Sequence, residues 1–302
     1  LYDATRPLLF RLPPETAHRL AHVGLRGFQQ TPLLGPIADR YTVDDDRLET
    51  TVFGRSFPSP VGVAAGFDKN AHLPPALAAL GFGFVEVGGV TAKSHGGNPR
   101  PRMFRLPEDV ALVNRMGLNN EGAAAVGDRL ARLDVDVPVG VNIAKSEHVR
   151  TENAPADYRR TYEQVTDADL FVVNVSCPNS DGFAALQSYE SMAAILSELV
   201  DAGASPLLVK LSPDLSESAI ADAVSLVREL GLDGVVATNT MTERPQSLES
   251  PHQAETGGLS GKPIEARAIA MVRNLYPRVD VQLIGVGNVS TAEHPAAHVP
   301  AQ

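Results

Sequence analysis

Cys177 is the one cysteine of the 302-residue chain, flanked by Ser176 and Pro178 and followed by Asn179 and Ser180, so it has no intramolecular disulfide partner. A thiol titrates at a pKa of about 8.5, near enough to neutrality for its thiolate to act as a base. A lone cysteine is also a common buried packing residue. Two hydroxyls and the amides of Asn174 and Asn179 beside it make a poor apolar site, however, and a good one for a polar ligand. A second set of groups extends the chemistry: Lys69, Asn142, Lys210, Thr238 and Asn239 each lie within or just after an apolar run. Amides match the edge donors and acceptors of a planar ligand, and lysine stabilises negative charge on a reduced ring. Only five lysines occur, and four of them (Lys69, Lys93, Lys145, Lys210) fall in such positions. In a chain that otherwise uses arginine, that placement marks them for specific work.

Parallel strands in an α/β fold position such groups, because they gather chemistry at their carboxyl ends. LFVVNV (170–175) has the apolar, mostly β-branched and aromatic composition of a strand buried on both faces. Six more runs share its form: PVGVAAGFDKN (60–70), FVEVGGVTAK (84–93), VPVGVNIAKS (137–146), PLLVKLSPD (206–214), DGVVATNT (233–240) and VQLIGVGN (281–288). They alternate with helical stretches at the spacing of β/α units, which predicts a TIM (β/α)8-type barrel over 41–302, with a doubly wound sheet as runner-up. After GVGN the tail STAEHPAAHVPAQ offers no apolar run, so the eighth strand is expected to be missing and the barrel incomplete at its C-terminal side. LETTVFGRSFP (48–58) reads as a hairpin around Gly54. Residues 94–122 form the longest polar insertion, a candidate lid whose four arginines and whose Asn114, Asn119 and Asn120 suit a carboxylate and amide-like groups. GGLSG (257–261) and GVGN (285–288) are glycine-rich loops near the late strands, and together they suggest a phosphorylated cofactor such as FMN.

Residues 1–40 read as an N-terminal extension of two helices, the second placing Ala17, Leu20, Ala21, Leu25 and Phe28 along one face. Such a pair either packs on the barrel or meets a membrane surface. The formal charge of −10 argues against nucleic acid as a partner. No run is long enough to span a membrane, no signal peptide is read, and no metal is expected.

The segments AAGFDKN, GNPRPRMFRLPEDVALVNRMGLNNEG, NVSCPNS, VKLSPDLSE, ATNT and TGGLSG together resemble the dihydroorotate dehydrogenase family, and the likeness runs from the first residues to about Ala292. LPPETAHRLA resembles the helical extension of the class 2, quinone-linked, membrane-associated members. The resemblance implies oxidation of (S)-dihydroorotate to orotate in pyrimidine biosynthesis, with FMN accepting a hydride and a quinone reoxidising it at the cytoplasmic side of the membrane. It places Cys177 at the base position, and Lys69, Asn114, Asn174, Asn179, Asn239 and Thr240 around the substrate. Ala65, Gly66, Lys69, Asn142, Asn174, Lys210, Thr238, Gly261 and Gly287 fall to FMN, with His18 and Arg105 on the quinone side.

Three positions depart from the family pattern. Class 2 members carry serine where Cys177 stands, and cysteine is typical of the soluble class 1, which leaves a class 1-like enzyme with another acceptor as an alternative. Leu118 replaces a phenylalanine, and Asn288 replaces the second glycine of a pair before the unrelated tail. That tail is expected to weaken the hold on the flavin phosphate and could leave an inactive barrel. A Schiff-base aldolase using Lys210 is a further alternative, but it gives Cys177 and the amides no task.

Overall fold

A computed structural model describes residues 2–175, 184–287 and 289. The chain starts with three helices, α1 (Tyr2–Leu9), α2 (Pro14–Phe28) and α3 (Leu34–Tyr41), where the sequence suggested two. Gly35 and Pro36 hid the third. Pro36 lies in its first turn, where the missing N–H leaves no hydrogen bond unmade. A hairpin of β1 (Thr50–Val52) and β2 (Arg55–Phe57) follows, as expected around Gly54. Next in order come α4 (Pro74–Ala79), β3 (Val85–Val90), β4 (Met103–Leu106), β5 (Ala111–Asn114), α5 (Ala123–Leu130), β6 (Val139–Ala144) and α6 (Ala154–Tyr162). The rest comprises β7 (Leu170–Asn174), α7 (Tyr189–Asp201), β8 (Leu207–Leu211), α8 (Glu217–Glu229), β9 (Gly234–Ala237), β10 (Gly258–Gly261), α9 (Glu265–Leu275) and β11 (Gln282–Gly285).

Six of the expected strands form one parallel sheet in the order β11-β9-β8-β7-β6-β3. The order follows the chain without reversal, as in a (β/α) barrel, whereas a doubly wound sheet reverses at its switch point. The seventh expected strand, 60–70, is reduced to a single parallel bridge between Val63 and Val85. Pro60 lacks a donor and Gly66 takes a φ of +106°, so an extended ladder is not kept up there. Closure of the sheet on itself is not seen among the described residues, and the tail expected to lack an eighth strand lies outside them.

Period-two alternation divides each central strand between two cores. Val139, Val141 and Ile143 of β6, Phe171 and Val173 of β7, and Val209 and Leu211 of β8 face outward into one core with the helices. The buried stripes of α7 (Met192, Ile195, Leu196, Leu199) and α8 (Ile220, Ala223, Val224, Val227) recur at helical spacing, and Ser188 and Ser216 cap these helices by accepting from Ser191 N and Ala219 N. Leu170, Val172, Leu208 and Val236 point the other way and meet Phe57 of the hairpin. They plug the interior at the amino ends of the strands. By the same alternation, Asn142, Asn174 and Lys210, further along those strands, must face inward above the plug.

The insertion 94–122 is not an irregular lid. Its β4 and β5 form a hairpin, and β10 adds to it as a third antiparallel strand, so GGLSG is a strand rather than a loop. Leu106, Val113 and Leu259 give this small sheet its own core.

Candidate functional site

A cavity of about 820 Å³ runs past the plug, where Phe57, Phe84 and Ile284 line it, to the carboxyl ends of the strands. Among the residues singled out from the sequence, His18, Ala65, Gly66, Lys69, Asn114, Asn142, Asn174, Lys210, Thr238, Asn239, Thr240, Gly261 and Gly287 line it. Arg105 does not. Its guanidinium donates to Leu12 O at 2.7 Å and stacks over Phe10, 4.8 Å from the ring centroid, which ties the α1–α2 connection to β4. Cys177 and Asn179 lie outside the described residues.

The insertion's polar groups mostly serve the fold, because protein acceptors already hold them. Arg102, 5% exposed, pairs with Glu15 of α2 at 2.8 Å and donates to the carbonyls of Gly96 and Asn98. Arg100 also meets Glu15, and Arg115 pairs with Glu255 at 2.7 Å. Asn120 donates to Thr91 Oγ1 and Leu118 O and accepts from Gly122 N, locking its own loop. That lock holds Leu118 at a φ of +51°, rare for a branched side chain, in the wall of the cavity. Of the three asparagines expected to meet ligand, Asn114 alone lines the cavity.

Two of the four marked lysines line the cavity and two do not. Lys145 is buried and donates to Ser146 O at 3.0 Å and Val149 O at 2.7 Å, bracing the loop after β6, while Lys93 is exposed. Lys69 is partly buried, donates to Gly66 O at 2.6 Å, and has its pKa pushed down to about 8 by burial and by the nearby Arg102. Lys210 is 4% exposed and ion-paired with Glu86 at 3.1 Å, the setting of a fixed cation rather than of an amine nucleophile.

Glu86 was not singled out from the sequence, yet it is the centre of the polar layer. Asn142 Nδ2 donates to it at 2.7 Å and Ala65 N at 3.1 Å. Its signal was present in FVEVGGV, where a carboxylate interrupts a strand that is otherwise apolar. Such a charge must be paired if buried. From Asn142 the layer continues sideways: Asn174 Nδ2 donates to Asn142 Oδ1 at 3.2 Å, and Asn239 Nδ2 to Asn174 Oδ1 at 3.1 Å. Buried Tyr158 supports it from the helix side by donating to Asn174 O at 2.7 Å.

The N-terminal helices reach the same cavity through His18. Its ring lies 4.5 Å from that of His22 and 5.4 Å from that of Phe67, and His22 Nε2 is 2.8 Å from Phe67 O. Burial, with Lys69 nearby, lowers the His18 pKa to about 4, and burial lowers that of His22 as well. A neutral His18 imidazole therefore faces the cavity at physiological pH. α2 and α3 bury no residue fully, and Leu8, Leu20, Val23 and Leu33 are each more than half exposed. Among the described residues, no helix is long and apolar enough to cross a membrane.

A flat, partly anionic ligand with a phosphate fits this lining. Thr238 Oγ1 is a buried cavity-wall hydroxyl with no protein partner, which a polar ligand edge would satisfy. Gly66 takes a φ of +106° with no protein atom within 4 Å of where a Cβ would stand, so its backbone is open to the close approach of a ring. Lys69 and Lys210 supply cations, and the amides supply edge donors and acceptors.

Comparison with known proteins agrees with this geometry. The profile of the family described as dihydroorotate dehydrogenase matches residues 47–301. A Haloarcula marismortui protein named dihydroorotate dehydrogenase (quinone) is 63% identical over 97% of this chain and 84% of its own length. Its namesake from Mycolicibacterium gilvum is 46% identical over the same shares. The crystal structure of ligand-free DHODH from Eimeria tenella superposes with a TM-score of 0.85 at 34% identity, covering 94% of this chain and 86% of that one.

Proposed function

Because the chain belongs to the dihydroorotate dehydrogenase family, we propose that it oxidises (S)-dihydroorotate to orotate, the step that feeds pyrimidine nucleotide synthesis, and passes the electrons to a quinone. The enzyme is a flavin-dependent oxidoreductase of the quinone-linked class, and its flavin is FMN. The observation that carries the reading is the inward polar layer of Glu86, Asn142, Asn174 and Lys210 in a cavity of about 820 Å³, in a chain that matches the family over most of its length.

When bound, FMN would supply the two-electron acceptor that dihydroorotate oxidation needs and that a quinone can reoxidise. Ala65, Gly66, Lys69, Asn142, Asn174, Lys210, Thr238, Gly261 and Gly287 would hold it, and Thr238 Oγ1 would gain the partner it otherwise lacks. Asn114, Asn174, Asn179, Asn239 and Thr240 orient the pyrimidine ring, while the Lys69 ammonium meets its negative charge. Cys177 takes the C5 proton, a task that a thiol performs more readily near neutrality than the serine of related enzymes. His18 lies on the quinone's approach, and Arg105 holds the helices that frame it. The exposed apolar side chains of α1–α3 rest on the cytoplasmic face of the membrane, where a lipid-soluble quinone is found.

The test is reduction of a quinone analogue by dihydroorotate with FMN-loaded protein. Turnover that needs both FMN and dihydroorotate is expected, and its absence with every acceptor would reject the reading.

A further inference from the structure

Glu86 has no part in the chemistry above, although its carboxylate sits 6% exposed in the middle of the inner layer. Three donors converge on it: Asn142 Nδ2 at 2.7 Å, Ala65 N at 3.1 Å, and Lys210 Nζ at 3.1 and 3.3 Å from its two oxygens. An ionised carboxylate only accepts, so Asn142 must turn its NH2 toward Glu86 and its oxygen away. That oxygen accepts from Asn174, whose own oxygen accepts from Asn239, whose oxygen accepts from Thr240 N at 2.8 Å. The far end is a backbone N–H, which can only donate. An acceptor at one end and a donor at the other give the three amides one consistent polarity.

We infer that Glu86 is a positioning residue of the flavin site: it sets which way the amides of Asn142, Asn174 and Asn239 present oxygen and NH2 to the ligand, and it offsets the charge that Lys210 brings to the ring. The inference rests on reading the cavity as the flavin site. Glu86→Gln keeps the shape but exchanges one acceptor oxygen for an NH2 that none of the three donors can use. It also removes a negative charge 3.1 Å from Lys210. A stronger positive field favours the reduced, more negative flavin, so the midpoint potential rises, by about 30 mV for each tenfold gain in binding of reduced over oxidised flavin.

The experiment measures the FMN dissociation constant and the flavin midpoint potential of the full chain as wild type, E86Q, K210M and E86Q/K210M. E86Q is expected to shift the potential positive by about 30 mV or more and to weaken FMN binding roughly tenfold, with the potential shift abolished in the K210M background. An unchanged potential in E86Q, or the same shift in both backgrounds, overturns the inference. If a single variant holds too little FMN for a potential, the cycle is read on the melting temperature of the apoprotein. The loss from E86Q is then expected to shrink in the K210M background, because a neutral pair replaces a stranded lysine. Equal losses overturn it. A wild type that binds no FMN counts against the reading of the cavity, and the apoprotein cycle still judges the role of Glu86 toward Lys210.

Discussion

Lys210 Nζ lies 3.1 Å from Glu86 Oε2, although β7 and β6 stand between β8 and β3 in the sheet. At roughly 4.8 Å per strand, a flat sheet would hold those two backbones about 14 Å apart with their side chains parallel. The contact therefore requires a sheet curled with its inner face concave. Curling turns four inward side chains, set on separate strands, into one connected layer. The ligand reading follows from that layer, since a buried charge network that faces a cavity can be completed by a bound polar molecule.

Lys69 sets a pH limit on substrate binding. Its ammonium is present below about 8 and lost above it, because burial and Arg102 depress its pKa. Affinity for the orotate carboxylate is expected to be flat below pH 8 and to fall by up to about tenfold per pH unit above it, until pH reaches the pKa that Lys69 has with orotate bound. Orotate titrations of the FMN-loaded protein between pH 6 and 10 check this. K69M should bind weakly with no step near pH 8, and a step that survives in K69M would assign it to another group.

His18 contributes a pH dependence of the opposite kind, on stability. Its folded-state pKa is lowered to about 4, whereas the unfolded chain takes up the proton near 6.5. Between those values the unfolded state binds more protons, so this contribution is intact above pH 6.5 and is lost as pH falls toward 4. Urea midpoints across that window should decline less steeply in H18Q than in the wild type. Parallel declines would show that His18 does not stay neutral.

The parallel sheet was legible in the sequence because apolar runs ending in amides, glycine and lysine have few other meanings. The inward set Asn142, Asn174 and Lys210 followed from the same runs. Glu86 was not picked out, although a carboxylate inside FVEVGGV was its signal, since its partner Lys210 lies beyond two intervening strands and no local spacing points to it. The insertion's arginines suggested a ligand, because sequence shows charge but not the carbonyls and the Glu15 carboxylate that hold Arg102. GGLSG passed for a loop because glycine hides strand character; its pairing with β5 spans more than 140 residues. α3 was obscured by a glycine and a proline placed at its start, where a helix tolerates both.

The N-terminal helices are expected to hold the protein on lipid. Leu20 and Val23 are exposed on α2 at 51% and 65%, on a helix that buries no residue fully. L20D/V23D should leave the fold and dihydroorotate-dependent flavin reduction unchanged while lowering co-sedimentation with anionic vesicles and turnover with a membrane-dissolved quinone. Equal vesicle binding by variant and wild type would place the membrane contact elsewhere.

The most direct measurement mixes FMN-loaded protein with (S)-dihydroorotate in the absence of oxygen and quinone and follows the absorbance of the oxidised flavin. The wild type is expected to bleach fully in a single turnover, and C177A to bleach roughly 10²-fold more slowly with its flavin still bound. A wild-type flavin that stays oxidised under dihydroorotate would contradict the assignment of this cavity, and equal rates in the two proteins would remove Cys177 from the proton transfer.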